Sequence, residues 1–407
     1  MTTPGWSRTR LKYVAKANSS TLPDDTDDDF EFTYVDISNV SQGTINTASH
    51  PIKFKDAPSR ARRLAAPGDS VVSTVRTYLR AVATVPEIEG PLVFSTGFAV
   101  LHPREGVFPR YLSWYLQGDE FVSRIEANST GVSYPAISAN QLVALDLNLP
   151  PLDQQQQIAD YLDRETAQID TLIAEQQRLV EMLRGRRRAV VRTAVPEPGS
   201  AAIPTDKLGR RTKIGNGSTP RREETKFWEG GHIPWLNSAV VNQDRVTAAG
   251  QFVTDEAVAK CHLPMVPAGS LLVALTGQGK TRGTATILDI EATINQHMAY
   301  VTPEPGFWDA EYLMWCLTAA YNDLRAVSDE NGSTKGALTC EDLKRFRVAH
   351  PPLDEQRRIA MYLAEQTSKI DALVAEAERF IELARERRAA LITAAVTGQI
   401  DVRESVA

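Results

Sequence analysis

The chain has 407 residues, 42% hydrophobic and 24% charged, an ordinary globular composition with room for two or three domains with cores of their own. The formal net charge of -6 argues against a uniformly basic nucleic-acid binder. Six carboxylates between Asp24 and Glu31 dominate that sum, however, so the distribution of charge matters more than its total. No apolar run is long enough to span a membrane and no signal peptide opens the chain. Three scattered cysteines (Cys261, Cys316, Cys340) are too few for a disulfide framework or a zinc site, and the expected compartment is cytoplasmic.

Residues 1–149 mix short β-type runs with turns. Glu31–Asp36, Ser70–Val75 and Phe98–Leu101 read as strands, Pro67-Gly68-Asp69 as a turn, and Pro109 to Ile125 as a short helical pattern. Residues 150–196 are different. After Pro150-Pro151-Leu152-Asp153 there is no proline until Pro196, and apolar residues return every three or four positions, which predicts one long helix. Asp153 is the expected N-cap. A heptad seam runs through Leu162, Ile169, Ile173, Val180, Leu183, Val190 and Ala194.

This stretch occurs twice. At a constant shift of about 201 residues, Pro351-Pro352-Leu353-Asp354 opens a second copy that runs to Val396, with roughly half its positions identical. Ile158, Tyr161, Leu162, Ile169 and Asp170 recur as Ile359, Tyr362, Leu363, Ile370 and Asp371. The second seam is Leu363, Ile370, Val374, Ile381, Leu391 and Ala395, Asp354 is its expected cap and Gly398 its stop. About 44 helical residues make a rod of roughly 66 Å. One apolar stripe on so long a rod needs a partner, and the other copy is the natural one.

The segments before the rods repeat as well. Tyr111-Leu112, Trp114 and Leu116 match Tyr312-Leu313, Trp315 and Leu317, and Leu11 and Pro23 match Leu208 and Pro220 at a slightly shorter shift, which points to an insertion at the acidic loop. The plan is therefore a first head over 1–149, a first helix over 150–196, a second head over 197–350 with a Pro196–Pro204 linker, a second helix over 351–398, and a tail over 399–407. Antiparallel pairing of the helices would bring the C-terminal segment back to the first head.

Pro351 to Ala360 (Pro-Pro-Leu-Asp-Glu-Gln-x-x-Ile-Ala), the Arg-rich helix ends, the duplication, Gly217-Ser218-Thr219-Pro220 and Ile233-Pro234-Trp235-Leu236-Asn237 together resemble the specificity subunit of type I restriction–modification enzymes. The first head departs from that pattern, with Ser20-Thr21-Leu22-Pro23 and Tyr34-Val35-Asp36 at the corresponding places. The resemblance implies an α+β chain in which two α/β target recognition domains are separated by two long antiparallel coiled-coil helices, a pseudo-twofold tandem repeat. It implies that each head reads one half of a split double-stranded DNA site and that the helices set the spacing. It also implies a subunit without catalysis or cofactors of its own. Two methyltransferase subunits would bring S-adenosylmethionine, and restriction (helicase-nuclease) subunits would use ATP and Mg2+.

Several loops carry residue types suited to DNA. Gly277-Gln278-Gly279-Lys280-Thr281 lacks the leading glycine of a phosphate loop, since Ala274 stands there, so Gln278, Lys280 and Arg282 read as a polar loop able to meet bases and phosphates, or as a solvated turn. The first head offers Arg76, Tyr78 and Arg80 at the equivalent place. Asn331–Lys335 (with Thr334 and Lys335) corresponds to Thr130–Tyr134, and the resemblance places this loop near DNA, with an ordinary turn as the alternative. Lys213, Asn216, Ser218, Thr219 and Arg221 flank a glycine-rich turn suited to phosphate, or a solvated charged loop. Lys53, Lys55, Arg60, Arg62 and Arg63 form a comparable basic stretch in the first head. The arginines at 184, 186, 187, 188, 385, 387 and 388 either complement helix dipoles or form a docking surface.

Nothing in the sequence points to catalysis. There is no Asn-Pro-Pro-aromatic methyltransferase motif, no glycine-rich S-adenosylmethionine loop, and no Pro-Asp at short range before Glu224-Thr225-Lys226. The competing reading is a coiled-coil scaffold or adaptor that binds protein only. It would explain the helices but not two divergent heads with cationic loops.

Overall fold

The computed structural model describes residues 5–48, 50–199, 203–277, 280–330 and 336–402. The chain forms two compact units, one of Met1–Gln177 with Glu378–Ala407 and one of Arg178–Ala377. Each unit therefore holds one head, the start of the long helix that follows it, and the end of the other long helix.

In the first unit, Ser7–Arg10 pairs antiparallel with Asp146–Leu149, so the strand that opens the head lies beside the one that leaves it for the helix. Between them stand two four-stranded sheets. One is antiparallel throughout, ordered Ala15–Ala17, Phe98–Pro103, Ser70–Ser73, Val82–Thr84. Ser70–Ser73 is buried along its whole length, so it reads as a short apolar run rather than an alternation. The other sheet is ordered Ile52–Lys53, Glu31–Val35, Leu92–Ser95, Ala61–Ala65, with Glu31–Val35 and Leu92–Ser95 parallel. The predicted 109–125 helix is two helices, Pro109–Gln117 and Asp119–Ala127, because the chain turns to an extended conformation at Gly118.

The second unit follows the same plan. Thr205–Lys207 pairs with Arg347–Ala349, and a five-stranded and a three-stranded sheet lie between. Buried tyrosines tie each head to its last strand: Tyr111 Oη donates to the Asn148 carbonyl at 3.3 Å, and Tyr312 Oη to that of Ala349 at 2.9 Å.

The two long helices run Leu152–Ala194 and Leu353–Val396. Asp153 and Asp354 are not the caps. Each sits inside the first turn, where a carboxylate still favours the positive end of the helix dipole. A buried amide two residues on ties the start of each helix to its head. Gln155 Oε1 accepts from the Phe108 N–H at 2.8 Å and its Nε2 donates to the Pro150 carbonyl at 2.9 Å. Gln356 repeats this, accepting from the Asp309 N–H and donating to the carbonyl of Pro351, both at 2.9 Å. The glutamine side chain thus satisfies the first carbonyl of each proline pair, and its backbone N–H the second.

Within each unit the helix segments run antiparallel. In the first, Ile169, Ile173 and Ile381 cluster, while Ile392, Ala395 and Val396 enter the head's core beside Ile158, Ala159 and Leu162. In the second, Val191 and Val195 enter the head's core with Ala360 and Leu363. The first predicted seam holds through Leu183 and then drifts by one residue, to Val191 and Val195, whereas the second shifts at Leu391 yet buries Ala395 as expected. Val191 and Ile392 are buried where Val190 and Leu391 were expected, because 3.6 residues per turn does not keep a strict heptad on one face. Ile400 and Val402 pack against the first head's core, so the start of the tail is part of that unit. Among the described residues no helix is long and apolar enough to cross a membrane.

Candidate nucleic-acid interface

In the first head two loops meet. Val75 bridges Ala136, and the Thr77 hydroxyl hydrogen-bonds that of Ser129 at 2.9 Å. This brings Arg76 and Tyr134 together, with the guanidinium 5.1 Å from the ring centroid. Arg76 is exposed, as are Tyr134 at 65% and Tyr78 at 55%. An arginine stacked on an exposed tyrosine loses less freedom on meeting a phosphate or base than a free one. Arg80, three residues beyond Thr77, is spent differently. It donates to Asp119 at 2.7 Å and Glu126 at 3.2 Å, so its charge is balanced inside the head.

Three of the five cations in the basic stretch at 53–63 are compensated by the acidic loop. Asp29 accepts from Lys53 at 3.0 Å and Lys55 at 3.1 Å, and Asp24 lies 3.5 Å from Arg62. Those lysine contacts, Lys53's first, hold the Asp29 carboxyl below its ordinary range. The insertion thus takes up Lys53, Lys55 and Arg62, while Arg60 lies 3.8 Å from Asp36.

In the second head the site is built on Gly217. A Cβ there would lie 1.7 Å from the Ile294 carbonyl oxygen, so only glycine allows the approach. The Gly217 N–H donates to Asn295 O at 3.3 Å, the Ser218 N–H to Ile294 O at 3.0 Å, and Trp235 Nε1 to Ser218 O at 3.1 Å. The turn is therefore fastened to the segment 294–297. Thr219 Oγ1 meets Gln296 Oε1 at 2.6 Å, Gln296 Nε2 lies 3.4 Å from His297 Nε2, and His297 Nδ1 lies 3.1 Å from Thr276 Oγ1. One polar chain links three loops.

Cations stand on the segments that lead into and out of these loops. Lys213 is exposed on the strand Thr212–Asn216, with Asn216 exposed at its end, and Arg221 is exposed beyond the turn. Arg222 stacks over Trp228 at 4.2 Å and Trp235 at 5.1 Å while Nη2 donates to Gln251 at 2.9 Å. Lys280 is exposed, and its carbonyl accepts from Tyr321 Oη at 2.8 Å. Arg282 corrects an expectation: at 6% exposure it lies under the loop rather than on it, and its carbonyl accepts from Arg325. Gln278, Thr334 and Lys335 lie outside the described residues.

Sequence reading missed Gln296, His297 and Trp228. The available signal was the polar triplet Asn295–His297 between the buried pairs Thr293-Ile294 and Met298-Ala299. Along the helices, Arg187 and Arg388 engage Asp371 and Asp170, so these two of the seven arginines hold helix to helix. Among the described residues no group of three or more His, Cys, Asp or Glu side chains could hold a metal ion.

Two similar heads, each fastened to a long antiparallel helix pair and each presenting stacked cations on loops, define a duplicated, helix-linked recognition protein. The family model for the type I restriction modification DNA specificity domain matches residues 4–182 and 207–378, and the chain belongs to that family of specificity subunits. It is 25% identical over 182 residues, 44% of this chain and 45% of the relative, to the specificity subunit of an Escherichia coli type I restriction enzyme. It is 27% identical over 179 residues, 42% of this chain and 40% of the relative, to one from Methanocaldococcus jannaschii. Each match spans less than half the length of the relative. Among solved structures, a chain from a study of complex assembly and conformational transition of the type I R-M system aligns with TM-score 0.82 at 23% identity, covering 98% of this chain and 100% of that one. The HsdS subunit from Thermoanaerobacter tengcongensis aligns with TM-score 0.57 at 23% identity, covering 98% of each. These two likenesses concern the fold.

Proposed function

We propose that the chain is the DNA-reading subunit of a type I restriction–modification complex, in which each head reads one half of a bipartite, non-palindromic site. The observation that carries this reading is the contrast between frame and loops. Gln155 and Gln356, Tyr111 and Tyr312, and the two Arg–Asp helix contacts repeat position by position. The exposed loops do not: the second head's Gly217-Ser218-Thr219 turn, whose Thr219 hydroxyl meets Gln296, stands where the first head has Ser20-Thr21-Leu22. A shared frame with unlike reading loops suits two unlike half-sites, much as twofold dimers suit palindromes.

The long helices fix the number of unread base pairs and offer the docking surface for two methyltransferase subunits, with restriction (helicase-nuclease) subunits joining beyond them. Chemistry belongs to those partners, which use S-adenosylmethionine, ATP and Mg2+, while this chain positions DNA. Exchanging residues 1–149 for the first head of another specificity subunit tests the reading. Methylome sequencing is expected to show one half-site changed and the other retained, and a change in both halves together would refute modular reading.

A further inference from the structure

We propose that Gln296 is a base-reading side chain of the second head, addressed to the major-groove edge of an adenine, with Thr219 and His297 as the positioning residues that hold its amide. This rests on the DNA-recognition reading above and names the residue that performs it in one half.

The argument is a count of hydrogen-bonding capacity. A glutamine amide has two N–H donors and two lone pairs on its oxygen. Thr219 Oγ1 occupies one lone pair at 2.6 Å, and His297 Nε2 faces one N–H at 3.4 Å. His297 is held in turn by Thr276 Oγ1 at 3.1 Å on Nδ1, and its own N–H donates to Asn295 Oδ1 at 3.0 Å. If the amide and the imidazole tautomer are both reversed, the chain runs the other way and the count is the same. One N–H and one lone pair stay open on Gln296, which is exposed. That donor–acceptor pair is the complement of adenine N7 and N6.

Position supports the count. Gln296 follows Thr293-Ile294, a buried strand, and precedes another, Met298–Pro303. Its loop is pinned by the Gly217 and Ser218 amides, so the amide stands on a rigid support. Lys213, Arg221 and Lys280 are exposed on neighbouring segments and supply charge for the phosphates without sequence information.

The test is methylome mapping in cells carrying the full chain with its partner subunits, as wild type and as Gln296→Ala. The expected result is that one A·T position of one half-site becomes degenerate, its discrimination falling about ten- to a hundredfold, with the other half-site unchanged. Thr219→Val is expected to loosen the same position and Thr219→Ser to restore it, which a merely structural role would not do. An unchanged motif in Gln296→Ala overturns the proposal. If methylation disappears altogether, the purified full-length variant is offered a random duplex pool. Uniformly weaker binding with the original preferences makes Gln296 a backbone contact and overturns it, whereas a preference lost at one position supports it. A wild-type chain that yields no motif and no preference in the pool would sink the underlying DNA-recognition reading, an outcome distinct from both.

Discussion

Arg388 donates from Nε to Asp170 at 2.9 Å, joining the end of the second long helix to the first. Arg187 does the same to Asp371 at 2.9 Å in the other unit, so each copy of the repeat supplies one arginine and one aspartate. With side-chain exposures of 20% and 51%, the Arg388–Asp170 pair contributes at most about 1 kcal/mol. Its value is register. Isoleucines along a seam accept a slip by one heptad, but a charge pair made at a single level does not.

Helix length is expected to govern the unread spacer. Inserting one heptad after Gln176 and one at the facing position, which the Asp170–Arg388 pair puts near Glu382, lengthens each helix by roughly 10 Å. At about 3.4 Å per base pair, roughly three base pairs should enter the spacer if helices and DNA run parallel, and fewer if they are tilted. The half-site sequences should stay the same because no head residue changes. Methylome mapping reads the outcome, and a variant that assembles yet methylates only the original spacing would show that the helices are not the ruler.

Gln155→Leu should destabilise the first unit and Gln356→Leu the second. Each removes a buried amide and orphans a backbone N–H and at least one carbonyl, at a cost of about 2–3 kcal/mol. Urea unfolding measures the loss, and amide hydrogen exchange should locate it in the corresponding head.

Gly217→Ala should disable the second head's site. The new Cβ would meet the Ile294 carbonyl, so the turn must leave the 294–297 segment and give up its two backbone hydrogen bonds. A loss of about 1–3 kcal/mol is expected, with weakened DNA binding. Gly250→Ala, where nothing lies within 4 Å of the added carbon, is the matched control and should leave both stability and binding intact.

Arg76 and Arg80 should behave differently although both are basic and four residues apart. Arg76→Ala is expected to weaken DNA binding and lower the salt dependence by about one unit, as for one lost phosphate contact. Arg80→Ala should chiefly lower the first head's stability, since Asp119 and Glu126 already hold that guanidinium. Binding titrations over a range of salt concentrations, with thermal melts beside them, separate the two.

Burial pushes the Cys316 thiol up to about 12. A thiol reagent at pH 8 should therefore leave Cys316 unmodified in the native chain and reach it only on unfolding, as mass mapping of the labelled peptides would reveal. The sign for stability follows. Between the ordinary value of 9.0 and about 12 the folded state keeps a proton that the unfolded state releases, so this group's contribution is complete below pH 9 and is lost as pH rises through 12.

The repeat, the two helices and their antiparallel partnership were readable in the chain. A proline-free 3.5-residue pattern leaves an apolar stripe that needs cover, a second copy of it is the natural partner, and the Asp170–Arg187 spacing recurs in Asp371–Arg388. Strands such as Glu31–Val35 and Ser70–Ser73 were readable for the same reason, since local apolar periodicity is a local property. The fate of individual charges was not. Arg76 and Arg80 look alike in sequence, and only folding sets Tyr134 beside one and two carboxylates beside the other. Lys53 and Lys55 met Asp29, Arg282 went under its loop, and Gln296 was brought to Thr219 from 77 residues away. Helices follow from neighbours in the chain, whereas a side chain's solvation and partners are set by segments distant in sequence, which only tertiary packing brings together.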